Sequence, residues 1–292
     1  MRSPPLRSAH LATALAACVL SGACHSTRTT VRSTTRATTP SLHAVPPPTP
    51  TSEPVVRARR ATSRTKHARF LTGRTIALDP GHNGGPVPPG KVYIGNGIWH
   101  PCDSTGTENR DGLTESALVL DVALRVRTML EALGAQVLMT RTTNTGSGPC
   151  IDQRVEMANR AHVDVGVSIH ADGTVGPPNA TGFHIAVPTL IPGQTQAVVD
   201  ASRRFAIALR DAYAAATGLP ISNYLGVDGI LPRTDLANTN LPNHPRVLLE
   251  LGVLNNAVPG GHDDLAILGT TAGRIAIARG ITNGIVHFLT ST

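Results

Sequence analysis

The sequence predicts an α/β fold: one domain on a mostly parallel, twisted sheet with helices on both faces. Three observations predict it. Short Val, Ile, Leu and Ala runs alternate with longer segments at helical spacing from residue 75 to residue 289. The apolar runs stop abruptly, the first of them at Asp79-Pro80-Gly81, where proline lacks an N–H and glycine permits a sharp turn. From Arg74 onward 219 residues remain, enough for one domain with a sizeable core. Aromatic residues make up only 3% of the chain, so that core is expected to be aliphatic.

The first strand is the run Thr75-Ile-Ala-Leu78, and His82 sits just past its end. In open α/β sheets that edge is where sites are built. A Gly/Pro-rich stretch over residues 84–90 follows. Residues 91–94 and 97–100 then suit a small hairpin around Gly95-Asn96. A loop of this length at a strand end is expected to border or cover a cleft. Residues 113–133 carry the strongest helical pattern, capped by Thr114 or Asp111 and ended by Gly134.

Residues 135–140 form the next strand and 149–161 a helix. Residues 163–169 make a strand that ends on His170. Residues 182–187 alternate and suit an outer strand. Residues 195–217 form a long helix closed by Gly218. Residues 246–249 make a strand ending on Glu250, and 263–289 a last helix with a break expected near Gly280. There is no internal repeat.

The first quarter of the chain reads differently. Residues 1–24 have a basic start, a short apolar stretch and small residues before Cys24, the pattern of an export signal. The apolar stretch is short for a membrane span. Cys24 raises lipid anchoring as an alternative to simple secretion, although Ser21 stands where a lipobox usually has Leu. Residues 25–72 are rich in Thr, Ser, Pro and Arg, a composition that buries too little apolar surface to fold, so they read as a linker. The folded domain is assigned to residues 73–292.

Charge divides along the same line. The net charge is +7, but residues 1–73 hold 11 Lys/Arg against one acid, and residues 74–292 hold 15 against 18. The folded part is mildly acidic, which argues against nucleic acid as a partner. The basic tail suits an anionic wall or membrane surface, or serves solubility alone. Cys102 and Cys150 are the only cysteines of the folded region, and in an exported chain one pair suggests a disulfide, the alternative being two buried thiols.

Four residues share one structural description. His82, His170 and Glu250 each follow a strand, and Glu115 opens the long helix. If the strands are parallel, all four reach one sheet edge. Two neutral imidazoles and one carboxylate suit a zinc site with a fourth position open, and a second carboxylate can serve as general base. Singly each signal is weak, since a lone histidine after a strand is more often an ordinary polar residue. His162, His184, His244 and His262 are read as surface or supporting residues.

At this point the residues resemble the zinc-dependent N-acetylmuramoyl-L-alanine amidases of the type-3 class, particularly the compact secreted type of mycobacteria and other actinobacteria. The resemblance rests on Ala77-Leu-Asp-Pro-Gly-His-Asn-Gly-Gly85, Gly112-Leu-Thr-Glu115, Met139-Thr-Arg141, Arg154-Val-Glu-Met-Ala-Asn159, Ser168-Ile-His-Ala-Asp172 and Val247-Leu-Leu-Glu-Leu-Gly252 with Asn255. It implies one zinc ion held by His82, Glu115 and His170, with Glu250 as the catalytic glutamate. The implied substrate is the amide joining N-acetylmuramic acid to L-alanine in peptidoglycan. Rival readings are a zinc peptidase acting within the stem peptide and a non-catalytic wall-binding protein. Two departures stand out: Asn83 intervenes where the family has a second glycine after the histidine, and the segment 86–110 is long. Arg141 and Arg154 match family arginines and are expected in ion pairs beneath the sheet. Asp79 is expected either to orient His82 or another ligand, or to cap the turn. The chain is expected to be exported and monomeric.

Overall fold

Along the chain the elements are β1 (Thr75–Pro80), β2 (Lys91–Tyr93), β3 (Trp99–Pro101), α1 (Glu115–Ala132), β4 (Gln136–Met139), α2 (Ile151–Arg160), β5 (Val165–Asp172), β6 (His184–Pro188), α3 (Val199–Thr217), β7 (Ile230–Arg233), α4 (Ala237–Asn240), β8 (Arg246–Val253), α5 (Leu265–Leu268) and α6 (Thr271–Thr290). The computed structural model describes residues 70–173, 177–255 and 263–291. The expected export signal, Cys24, linker residues 25–69 and His262 lie outside the described residues. The folded body reaches past the expected boundary at 73, because Leu71 is fully buried in the main core. Among the described residues no helix is long and apolar enough to cross a membrane.

Six strands pair in the order β4-β1-β5-β8-β6-β7. All neighbours are parallel except β6 and β8. The expected outer strand at 182–187 is therefore not outer. β6 is buried along its whole length between β8 and β7, and the edge belongs to β7, which the sequence reading did not identify. Pro232 interrupts β7's apolar run, and an edge strand tolerates proline because its outer N–H groups need no partner. β5 and β8 also run further than expected, to Asp172 and Val253, so His170 and Glu250 stand within strands rather than after them.

One face of the sheet carries Ile76, Leu78, Val167, Ile169, Val247 and Leu249, which pack with α1, α3 and α6 into the main core. As expected, that core is mainly aliphatic. α1 starts at Glu115 because Thr114, not Asp111, caps it: the Thr114 hydroxyl accepts from Ala117 N at 3.3 Å. α6 shows no break at Gly280. The chain breaks earlier, at Gly269 between α5 and α6. Gly280 and Gly284 lie one turn apart where α6 crosses α3, and there glycine serves close approach. A Cβ at Gly284 would fall 2.7 Å from Leu209 Cα, and one at Gly280 3.0 Å from Tyr213 Cα.

The opposite face is covered by α2 and α4 and is built differently. Its apolar part is small, centred on Ala77, Ala158 and Val163. Beside it lies a charged centre. Asp79 accepts from Thr140 Oγ1 (2.7 Å) and Arg154 Nη1 (2.9 Å) at one oxygen, and from Ser168 Oγ (2.8 Å) and Arg246 Nη2 (2.8 Å) at the other. Burial alone would raise the Asp79 pKa, but Arg154 and Arg246 hold it well below the usual carboxylate range. Buried charges persist only when paired and hydrogen-bonded in this way.

Candidate metal centre and its cleft

The parallel strands bring the expected residues together. His82 follows β1, His170 lies in β5, and Glu115 is the first residue of α1. His82 Nε2 is 3.0 Å from Glu115 Oε1, His170 Nδ1 is 3.1 Å from the same oxygen, and the two ring nitrogens are 3.2 Å apart. A tetrahedral zinc with bonds of ~2.0–2.1 Å needs donors about 3.3 Å apart. The triangle is thus close to the size a zinc ion requires, and these three residues form a group able to hold a metal.

Local backbone makes the triangle possible. His82 has φ +58°, a left-handed conformation uncommon outside glycine that is often found where a site demands it. Gly81 before it has no room for a side chain, since a Cβ there would fall 2.2 Å from the His170 ring. His82 Nδ1 lies 3.0 Å from Ser104 O, so it donates there and leaves Nε2 free for a metal. Glu115 is held at both oxygens: Oε1 accepts from Ala171 N and Oε2 from Thr107 N, each at 3.0 Å. Burial alone would raise its pKa, but the His170 and His82 rings hold Glu115 far below the usual range.

Glu250 lies beside the triangle, paired in register with His170 on one side and His184 on the other. Its Oε2 is buried and has no hydrogen-bond partner among the described residues. Burial, then the charges of Asp172 and Glu115, push the Glu250 carboxyl well above its ordinary value. Asp172 is pushed up to about 6, by burial first, although the Tyr224 hydroxyl that donates to it acts the other way. Glu250 and Asp172 resist ionising beside the ionised Glu115, a setting that a divalent cation relieves, so this donor set fits a zinc ion.

These residues line a cleft of about 590 Å³. Its far wall includes His184, Ala186, Arg233 and Asn238. The hairpin formed by β2 and β3 appears where the sequence placed it, and Ile94 and His100 border the cleft as expected. Its tip rests on the body through Asn96, which bonds Gln194 Oε1 and Thr234 O. Cys102 and Cys150 form a disulfide that ties the end of this loop to the start of α2.

Asp79 makes no direct hydrogen bond to His82, Glu115 or His170; its partners are Thr140, Arg154, Ser168 and Arg246. Its effect on His82 runs through Arg154, whose Nη2 donates to His82 O at 2.7 Å. The residues that hold the His82 ring are Ser104 and Asp103, the latter 3.5 Å from Nδ1. Nothing in the local sequence marked them, because they belong to an irregular loop. Asn83, the family departure, bridges Asp103 (2.7 Å) and Arg154 (2.8 Å) and so joins the same network. Arg154 makes its expected ion pairs, with Asp79 and Asp103. Arg141 does not: it donates to the carbonyls of Pro80, Gly81, Ser116 and Thr143 and to Asn144 Oδ1, so it holds turns rather than a carboxylate. His184, read as surface or supporting, is buried beside Glu250, and burial with nearby Arg233 lowers its pKa to about 4. Its alternation in a strand was the one available signal.

An α/β sheet carrying two imidazoles, a carboxylate and a second buried carboxylate at one edge has the make-up of a metal-dependent hydrolase. The family described as N-acetylmuramoyl-L-alanine amidase matches residues 76–287. The N-acetylmuramoyl-L-alanine amidase Rv3717 of Mycobacterium tuberculosis is 34% identical over 238 residues, covering 81% of this chain and 92% of that protein. Among solved structures, the amidase Ami1 of Mycobacterium smegmatis is 39% identical with a TM-score of 0.68, covering 76% of this chain and 99% of that one. Ami1 of Mycobacterium abscessus, in its apo form, is 38% identical with a TM-score of 0.69, covering 75% and 100%. The chain belongs to the N-acetylmuramoyl-L-alanine amidase family and is a hydrolase.

Proposed function

We propose that this amidase cleaves the bond between the lactyl group of N-acetylmuramic acid and L-alanine of peptidoglycan, with one zinc ion held by His82, Glu115 and His170 and with Glu250 as general base. What supports the reading is the donor triangle with edges of 3.0–3.2 Å on the same sheet edge as an unpartnered, buried carboxylate oxygen. A zinc ion held there by His82, Glu115 and His170 would supply Lewis acidity to the amide carbonyl and to a bound water. Glu250 takes the water's proton at Oε2 and returns it to the amine of L-alanine as the bond breaks. Ser104 keeps the His82 tautomer correct, and the backbone N–H groups of Ala171 and Thr107 keep Glu115 ionised and aimed. The reading extends to export through residues 1–24, with lipid attachment at Cys24 as the alternative, followed by a linker to a monomeric catalytic domain. These parts rest on the sequence pattern.

The test joins metal content to product analysis. The wild-type chain is expected to hold one zinc and to free stem peptides with an intact L-alanine amino terminus. Glu250→Gln is expected to keep the zinc and to lose about 10²–10⁴-fold in kcat. Zinc binding without released peptide, or peptides that begin elsewhere, would refute the assigned bond. Loss of zinc in Glu250→Gln would refute the division of roles.

A further inference from the structure

Across the sheet the cleft residues follow the strand order. The three metal-type ligands stand on or beside β1, α1 and β5. Glu250 comes next on β8, then His184 and Ala186 on β6, and Arg233 ends the row on the edge strand β7. Glu250 returns its proton to the leaving amine. On the amidase reading the amine and the peptide behind it lie on Glu250's side of the metal, towards β6 and β7.

Arg233 is the sole Lys or Arg among the described residues lining this cleft. The carboxylates lining it are Asp103, Glu115, Asp172, Asp235 and Glu250. Apart from the proposed metal and the imidazoles, Arg233 is therefore the one place on the wall where a cationic side chain can meet an anionic group on the substrate. Asp235 fixes that place by accepting from Arg233 Nε at 2.6 Å and from Nη2 at 2.9 Å. No described residue takes a hydrogen bond from Nη1. The side chain is one-third exposed (33%). A guanidinium clamped on one edge and open on the other is pre-ordered to receive an anion, since its rotamer entropy is already spent.

We propose that Arg233 binds a carboxylate of the leaving peptide and so sets which stem peptides the enzyme accepts. The inference rests on the amidase reading, which places the peptide on that side. Peptide carboxylates, at the C-terminus or on acidic side chains, are the anions present there, and amidating them removes the charge that Arg233 recognises.

The experiment measures binding of the released peptide to the zinc-loaded wild-type chain by calorimetry, with no turnover needed. The probes are L-alanyl-D-glutamate and the same dipeptide with both carboxyls converted to carboxamides. The acid is expected to bind at least about tenfold more tightly, the scale of one charge-assisted hydrogen bond. The preference is expected to vanish in Arg233→Ala and to survive in part in Arg233→Lys, which keeps the charge and loses the fork. Equal binding of the two probes by wild type would overturn the inference, as would a preference that persists in Arg233→Ala. Zinc content and thermal unfolding of each variant establish that it is folded, and Arg233→Lys carries the test if the alanine variant is not. Failure to cleave muramoyl peptides refutes the amidase reading by itself, because the binding preference is scored without hydrolysis.

Discussion

Asp79 is the residue whose removal should cost this fold most per atom changed. It sits beneath the site and neutralises Arg154 and Arg246, all three of them buried. Asp79→Asn keeps the shape, but its amide nitrogen cannot accept the two bonds made at one of the oxygens, and two guanidinium groups lose their shared counter-charge. Removing one partner of a buried ion pair costs ~3–5 kcal/mol. For a domain of this size each kcal/mol shifts Tm by ~2–4 °C, so a fall of about 10 °C is expected at neutral pH. Calorimetric unfolding of wild type and variant side by side measures it.

The pH dependence has a definite sign. The folded pKa of Asp79 lies below its unfolded value of ~3.9, so on acidification the unfolded chain takes up the proton first. The stabilisation is complete above the unfolded pKa and is lost as pH falls towards the folded one, at ~1.4 kcal/mol per pH unit. The gap between wild type and Asp79→Asn should therefore narrow below pH ~4. A difference under about 2 °C at neutral pH would show that the network contributes far less than a buried pair normally does. A gap that widens on acidification would refute the assignment of the shift to Asp79.

Three further outcomes follow from the packing and the site. If His170 holds zinc as proposed, His170→Ala should weaken zinc binding by at least ~100-fold, read by competition with a chelator, because a ligand and not merely a supporting bond is then lost. Gly284→Val should lower stability by ~1–3 kcal/mol or more, measured by denaturant unfolding, since Leu209 Cα lies 2.7 Å from where its Cβ must go. Reducing Cys102–Cys150, which are 48 residues apart, should cost up to ~4 kcal/mol by the loop-entropy estimate. A Tm unchanged in reducing buffer would show that the Cys102–Ile151 backbone bond and Asp103's contacts suffice to pin the loop.

The sequence by itself determined most of the strand-and-helix order, the three residues that meet as a group able to hold a metal, and the disulfide partners. Those features are local: an apolar run stopped by Asp79-Pro80-Gly81, two cap candidates (Thr114 and Asp111) before Glu115, a pair of cysteines in an exported-looking chain. Each can be read without knowing its neighbours. Only the tertiary structure decided which strand took the edge, because burial of β6 depends on β7 covering it and β7's own pattern is broken by Pro232. It also decided that Gly280 continues a helix, since the reason is the approach of α3, which lies far away in sequence. The groups around the ligands were hidden for the same reason. Asp79 meets Arg246 across 167 positions, and Ser104 reaches His82 from an irregular loop. Periodicity reports how a segment meets the core as a whole. It carries no information about which distant polar side chain meets a buried charge, and here such contacts hold the His82 backbone and ring in place.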